Sequence, residues 1–372
     1  GDKMSDMFDI AAQATYGNVP GAVWRDGESF RSFRGIDGRL TAHQAADTIY
    51  GLGFDGIGTK VEVRERMQTT RGKGASHEGS ASDLGAMVFD DACRTGSEVV
   101  AWGSVLDTGQ LNPDDPSTVD GMRELATGLV VVSKLARVVA INGEIAELIG
   151  RVRGYGRFNY NWGAGALTLT HKSRVLSGKT LQPGDALVGL PEPGPRCNGM
   201  TDIRNAFKQE YGGKWHTKIE PSLGSVTLGQ LVQIPATVYH GIISDITGGW
   251  DIRREPKAEV TGFAHITGGG QPSKLRTMLN GSELGITIDD PIDPPPFMQL
   301  VQRILGYDDE KIYGKLHMGP GGVIATPEPD KVLSLVKAAG LEETKVIGEI
   351  TDEPGIRIKN RGAVQDQEWL VF

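Results

Sequence analysis

The residues of this chain best suited to chemistry are carboxylates, and one of them is badly placed for a purely structural role. A helical pattern opens at Asp83, a good N-cap, and runs to Thr95, with Gly96 suited to end it. On a helical wheel, Leu84, Met87, Val88 and Asp91 fall within about 100° of one another, with Asp91 inside the apolar stripe. A carboxylate there is costly unless a cation or several donors meet it. Two readings satisfy that demand: a buried Asp capping a neighbouring loop, or a metal ligand. Asp55 sits in a Gly-flanked turn at the end of a strand-like run, and Glu144 and Glu147 follow a helical segment. Alone, the first is a turn residue and the other two are solvated. Taken together, carboxylates at the ends of separate elements, with no soft ligands, suit Mg²⁺ that also holds nucleotide phosphates.

Other motifs fail on context. Gly51-Leu52-Gly53-Phe54-Asp55-Gly56 matches a dinucleotide fingerprint by letter, but that fingerprint needs a helix at its third glycine, and Val61-Glu62-Val63 alternates like a strand. The segment Gly53 to Lys60 ends Gly58-Thr59-Lys60 rather than Gly-Lys-Thr, so it lacks the Walker order of lysine and hydroxyl. The seven histidines show no paired metal-ligand spacing, and no Gly-x-Ser-x-Gly elbow is present.

The elements that must position these residues alternate. Strands fit Thr48 to Phe54, Val99 to Leu106, Ala166 to Leu169, Ala186 to Leu190, the run into Ala264-His265-Ile266, and Lys345 to Ile350. Helices fit residues 119–140, a segment from about Asp202, Phe297 to Leu305, and Asp330 to Ala339. Residues 65–81, with Arg66, Arg71 and Lys73, read as a mobile loop. Residues 4–45 read as a loose polar arm whose aromatics, Tyr16, Trp24, Phe30 and Phe33, tuck onto a core. The stretch Ser177 to Asp185 is the best boundary signal. The expected organisation is therefore an arm (1–45), a first domain (46–178), a second domain (179–350) and a C-terminal extension (351–372). The fold class is α/β or α+β.

Composition narrows the functional classes. Of 372 residues, 52 are Gly with no three-residue period, which excludes collagen-like structure. A net charge of −8 disfavours a nucleic-acid-coating or membrane-binding protein. The most apolar stretch, Gly128 to Leu148, is broken by Lys134, Arg137, Glu144 and Glu147. Two cysteines, Cys93 and Cys197, are too few for a disulfide framework. These features point to a cytoplasmic protein with no membrane or nucleic-acid partner.

The ordered set of motifs resembles one family. Phe54-Asp55-Gly56-Ile57-Gly58-Thr59-Lys60, then Asp83-Leu84-x-Ala86-Met87 with Asp91, then Gly143-Glu144-x-Ala146-Glu147 resemble the N-terminal half of aminoimidazole ribonucleotide synthetase, also called phosphoribosylformylglycinamidine cyclo-ligase. Gly184-Asp185-Ala186-Leu187, Gly194-Pro195-Arg196-Cys197-Asn198-Gly199, Ala264 to Gly270, Met318 to Ala325, and Lys345 to Ile350 agree with its second half in the same order. The resemblance spans roughly residues 48–350.

That resemblance implies a two-domain synthetase with a C-terminal mixed sheet and an N-terminal sheet that pairs in a homodimer. It implies ATP and Mg²⁺, and ring closure of formylglycinamidine ribonucleotide to aminoimidazole ribonucleotide. Asp55, Asp91 and Glu144 would hold metal. Gly56, Gly58, Thr59, Lys60 and Asp83 would join Asp55 and Glu144 around the nucleotide, with Lys60, Asp91 and His265 catalytic. Arg196, Asn198, His265, Thr267, Gly268, Gly269 and Gly270 would hold the ribonucleotide. The family usually has histidine at the Arg196 position. Arginine cannot shuttle a proton near neutral pH but is the better phosphate fork. Two alternatives therefore stand beside the cyclo-ligase: an ATP-using superfamily member with another acceptor, and a silent ligand-binding homologue.

Overall fold

The computed structural model describes residues 2–19, 22–25, 34–36, 42–68, 70 and 76–372. The readings made above on Phe30, Phe33, Arg71 and Lys73 fall outside these residues, as does the side chain of Trp24. The chain divides into two compact units. Residues 1–92, 97–172 and 237–241 form the first, and 93–96, 173–236 and 242–372 the second.

The first unit contains α1 (Asp2–Ala14), the short pair β1 (Val23–Arg25) and β2 (Arg34–Ile36), and α2 (Ala42–Asp47). Next come β3 (Thr48–Gly56), α3 (Val61–Gln68), α4 (Gly79–Cys93), β4 (Glu98–Thr108), α5 (Pro116–Ala136), β5 (Val139–Glu147) and β6 (Tyr160–His171). Its main sheet has the order β3-β6-β4-β5, antiparallel except for the β4–β5 pair.

The 21-residue α5 shows how sequence sets the boundaries. Asp115 caps it by accepting from the N–H of Ser117 (3.0 Å), Pro116 occupies the first turn, and Arg137 ends it in a left-handed conformation (φ 56°). Leu125, Leu129, Val132 and Ala136 form its buried face. The helix expected to reach residue 140 thus stops four residues early, and the β-branched Val138-Val139 start a strand instead. Glu144 and Glu147 consequently lie on β5.

Three further expectations change. The segment after Lys60 is α3, not an extended run. The dinucleotide reading still fails, because Gly51 and Gly53 lie inside β3, paired with Thr168 and Ala166. α4 begins at Gly79, so Asp83 is an interior helical residue rather than its N-cap, and both α3 and α4 occupy part of the supposed loop. Finally, α1 docks on α5 and β5 rather than trailing as an arm. Ala11 and Ala12 are buried, Phe8 meets the Trp162 ring edge-on, and the Thr15 hydroxyl accepts from the N–H of Ala140 (2.9 Å).

The second unit runs β7 (Ala186–Pro191), α6 (Met200–Tyr211), α7 (Leu228–Val232), α8 (His240–Thr247, whose first turn belongs to the first unit), β8 (Gly262–His265), α9 (Gly270–Leu279), β9 (Gly285–Ile288), α10 (Pro296–Leu305), α11 (Asp309–Tyr313), β10 (Pro320–Thr326), α12 (Pro329–Ala338), β11 (Lys345–Thr351), β12 (Gly355–Lys359) and β13 (Trp369–Val371). Seven strands form one mixed sheet in the order β13-β12-β9-β11-β7-β10-β8, with only β12 and β9 parallel. Every residue of β10, which lies between β7 and the edge strand β8, is buried. Residues 351–372, expected as an extension, supply β12 and β13 to this sheet.

The buried cap on α4 is Asp90, not Asp91, the carboxylate that the apolar stripe singled out and that is only half-buried. Asp90 is fully enclosed, and its carboxylate accepts from the N–H groups of Tyr239 (2.8 Å) and His240 (2.9 Å) at the start of α8. Replacing Asp90 with Ala strands both donors and should cost about 1–3 kcal/mol of stability, measured by urea unfolding. A loss within experimental error would show that these two bonds do not hold α8.

Candidate functional site

In the first unit the candidate residues group around the turn that leaves β3. Gly58 takes a positive φ (63°) and opens a single 3₁₀ turn through Lys60 into α3. That turn carries Lys60 inward. Its Nζ lies 2.6 Å from Asp83 Oδ1, and Arg64 Nη2 lies 2.6 Å from Oδ2, with all three side chains buried. Arg64 also donates to the carbonyl of Ser76 (2.9 Å). Lys60 and Asp83, expected at the nucleotide, are here committed to one another. Thr59 is exposed beside them.

Further buried polar groups lie on α4, β6 and the segment before α4. The Tyr160 hydroxyl lies 2.7 Å from Ser80 Oγ and 3.0 Å from His77 Nδ1. Burial, helped by the charge of Arg64, holds the His77 imidazole down at about 3. Glu65 accepts from the N–H groups of Tyr155 and Tyr160, yet its burial pushes the carboxyl up to about 7.

Asp55 ends β3, exposed, and accepts from the N–H of Gly56 (2.7 Å). Partial burial raises its pKa; the Gly56 bond pulls it down, and the charge of Asp91 raises it further. Asp91 is half-buried on α4. Two carboxylates that repel each other in this way fit a shared cation.

Glu144 does not join them. It lies on β5, level with Val105, Gly163 and Gly56, so β6 and β4 separate it from β3. At roughly 4.8 Å per strand that is on the order of 14 Å. It shares its face with Val105, whereas Asp55 alternates to the opposite face. Among the described residues no three His, Cys, Asp or Glu side chains assemble a metal-binding group. Glu147 accepts from the N–H of Leu111 (2.8 Å), a structural bond.

The open face of the sheet is apolar. Leu52 and Phe54 are 71% and 78% exposed, and with Val105 and Glu144 they line a groove of about 1030 Å³ floored by the strand glycines.

In the second unit the Ala-His-Ile-Thr-Gly-Gly-Gly segment crosses from β8 into α9. The N–H of Gly270 donates to the carbonyl of Thr267 (2.9 Å) and so closes the turn rather than facing a ligand. Gly270 must be glycine: its φ is 62°, and a Cβ would collide with the Tyr313 carbonyl. Gly268 and Gly269 remain exposed. A Cβ added at Gly268 would lie 3.6 Å from the side-chain nitrogen of Asn198, whose buried Oδ1 has no hydrogen-bond partner. An orphaned acceptor beside an exposed glycine turn is the feature of this unit best suited to a ligand that donates a hydrogen bond.

Arg196 and His265 are both buried, 2% and 0% exposed. Arg196 Nη1 donates to Glu192 Oε2 (2.7 Å), and Nη2 lies 2.8 Å from His265 Nε2. The fork expected to hold substrate phosphate is turned inward.

The comparisons agree with this architecture. Residues 182–360 match the AIR synthase related protein, C-terminal domain. The chain is 29% identical to the phosphoribosylformylglycinamidine cyclo-ligase of Methanococcoides burtonii over 309 residues, covering 83% of this chain and 81% of the relative. The chain resembles the AIR synthase family along most of its length. Its fold is similar to that of the hydrogenase maturation protein HypE solved in complex with ATP (TM-score 0.55, 10% identity, 91% of this chain and 86% of that one). It is similar also to thiamine-monophosphate kinase from Stenotrophomonas maltophilia K279a (TM-score 0.54, 14% identity, 94% of each chain). No described helix is long and apolar enough to cross a membrane.

Arg64, Asp90 and Glu192 escaped the sequence reading. Asp90 lies about 60° outside the stripe of Leu84, Met87 and Val88, so the helical wheel pointed to Asp91 instead. Glu192 and Arg196 are four apart, but in a Gly/Pro turn, where that spacing carries no helical meaning.

The Lys60–Asp83–Arg64 cluster makes a direct prediction. Replacing Asp83 with Asn leaves two buried cations without their counter-charge, and should cost about 3–5 kcal/mol in urea unfolding. A neutral or stabilised variant would show that this carboxylate is not what holds the two cations.

Proposed function

We propose that this protein is an ATP-dependent cyclo-ligase that closes formylglycinamidine ribonucleotide to aminoimidazole ribonucleotide in the cytoplasm, as a step of purine biosynthesis. The observation that carries the reading is its similarity to a cyclo-ligase along four-fifths of both chains. The likeness of fold to a protein solved with ATP is consistent with nucleotide use.

In this reading Asp55 and Asp91 would hold the divalent cation. The cation, when bound, neutralises charge on the transferring phosphoryl group. The exposed turn Gly56 to Thr59 lies against the nucleotide phosphates. Asn198 and the Thr267 to Gly269 turn bind the ribonucleotide, with Asn198 Oδ1 accepting from a substrate N–H. The formyl amide oxygen takes the γ-phosphoryl group as the bond to ADP breaks. The amidine-side nitrogen then attacks the activated formyl carbon, loses a proton, closes the ring and expels phosphate. Chemistry of this kind asks the protein mainly for positioning and charge neutralisation, which suits a site with no assembled nucleophile.

The apolar face of β3, β6 and β4 would pair with its copy in a homodimer, covering Leu52 and Phe54. A second reading, an ATP-using enzyme with another acceptor, is favoured by one observation: Arg196 is buried and turned away from the exposed Asn198–Gly268 turn.

Purified protein should release ADP from ATP only when Mg²⁺ and formylglycinamidine ribonucleotide are both present. Asp91→Asn should abolish release while leaving unfolding free energy equal or slightly raised, because mutual repulsion with Asp55 is relieved. ADP release that ignores the ribonucleotide would favour the second reading. An active but destabilised Asp91→Asn would make Asp91 structural.

A further inference from the structure

The second unit contains a buried polar chain that the reaction above does not use. Glu192 follows the last residue of β7, Arg196 lies four residues on in the same turn, and His265 is the last residue of β8. These two strands are not neighbours: β10 runs between them, with Gly322 paired to Leu190 on one side and to His265 on the other. The intervening strand therefore carries no side chain at that row. A Cβ there would press on the Phe263 ring and Leu190 at 3.1–3.3 Å. Across this row the guanidinium links Glu192 (2.7 Å) to His265 (2.8 Å), with the three residues 2%, 2% and 0% exposed.

The chemistry of the link fixes a proton. Arginine donates only, so His265 Nε2 must accept, and the ring carries its proton on Nδ1. A carboxylate on the far side of the guanidinium sets which way the fork faces. The chain also joins two ligand-bearing segments: 192–199, with Asn198, and 266–270, with Gly268.

We propose that Glu192 and Arg196 are positioning residues that pin His265 as its Nδ1–H tautomer and hold the Asn198 segment against the Gly268 turn. His265 then belongs to the support of the site rather than to the groups that touch reacting atoms. This rests on the reading of Asn198 and Gly268 as the ribonucleotide-binding turn.

The test is two-bond ¹H–¹⁵N spectroscopy of histidine-labelled full-length protein near neutral pH, together with steady-state kinetics on formylglycinamidine ribonucleotide. A single Glu192→Leu change would leave a buried cation unpaired and risk unfolding, so the double variant Glu192→Leu/Arg196→Met removes both charges together. The wild type should show His265 protonated at Nδ1. The double variant should show a changed tautomer distribution, and a KM raised about tenfold or more with a much smaller change in kcat. Glu192→Gln, which keeps an acceptor for Arg196, should keep the wild-type tautomer and a KM close to that of the wild type. A wild-type Nε2–H tautomer overturns the proposal, as does a double variant in which either tautomer or KM is unchanged. Should the wild type turn over none of this ribonucleotide, the substrate reading fails separately, and the tautomer comparison still decides whether the tie exists.

Discussion

Asp83, enclosed between Lys60 and Arg64, is the interaction on which the first unit's candidate site depends. It joins three consecutive pieces of chain: the turn after β3, the helix α3, and the helix α4. Asp55 stands at the start of that turn and Asp91 two turns further along α4, so a change in the cluster moves both carboxylates relative to each other. Two cations on one buried carboxylate are costly to assemble but more costly to break singly, since any single loss leaves an uncompensated charge in the interior. The tie is therefore a constraint on geometry more than a source of net stability.

The second unit uses the same device with different residues. Glu192, Arg196 and His265 cross a row of the sheet in which the middle strand offers only Gly322. In both units buried charged groups are paired with each other, Lys60 and Arg64 with Asp83 in one and Arg196 with Glu192 in the other. Such pairing keeps the long cations from collapsing onto exposed polar groups nearby.

Much of this was legible in the chain. Strand and helix alternation gave the mixed α/β class, and β4, β6, β7, β8 and β11 lie where their apolar runs are. Ordered motifs pointed to the family now supported by the matching domain and by relatives. The failures have local causes. Val61-Glu62-Val63 looks extended by period, but the positive-φ Gly58 starts a helical turn that propagates through it. The helix through residue 136 looked longer because nothing in the letters marks Arg137 as left-handed. Glu144 read as one of a carboxylate set because sequence order hides that β5 lies across the sheet from β3. The inward turn of Lys60 and Arg196 was not legible at all, because long cationic side chains choose partners that only the tertiary fold brings near.

The central claim is that ATP activates the formyl oxygen of the substrate, and oxygen labelling tests it most directly. Formylglycinamidine ribonucleotide carrying ¹⁸O in its formyl group should deliver that label to the inorganic phosphate released alongside ADP, in proportion to aminoimidazole ribonucleotide formed. Product formed with unlabelled phosphate, or ADP released with the formyl label still on the organic product, would contradict the account.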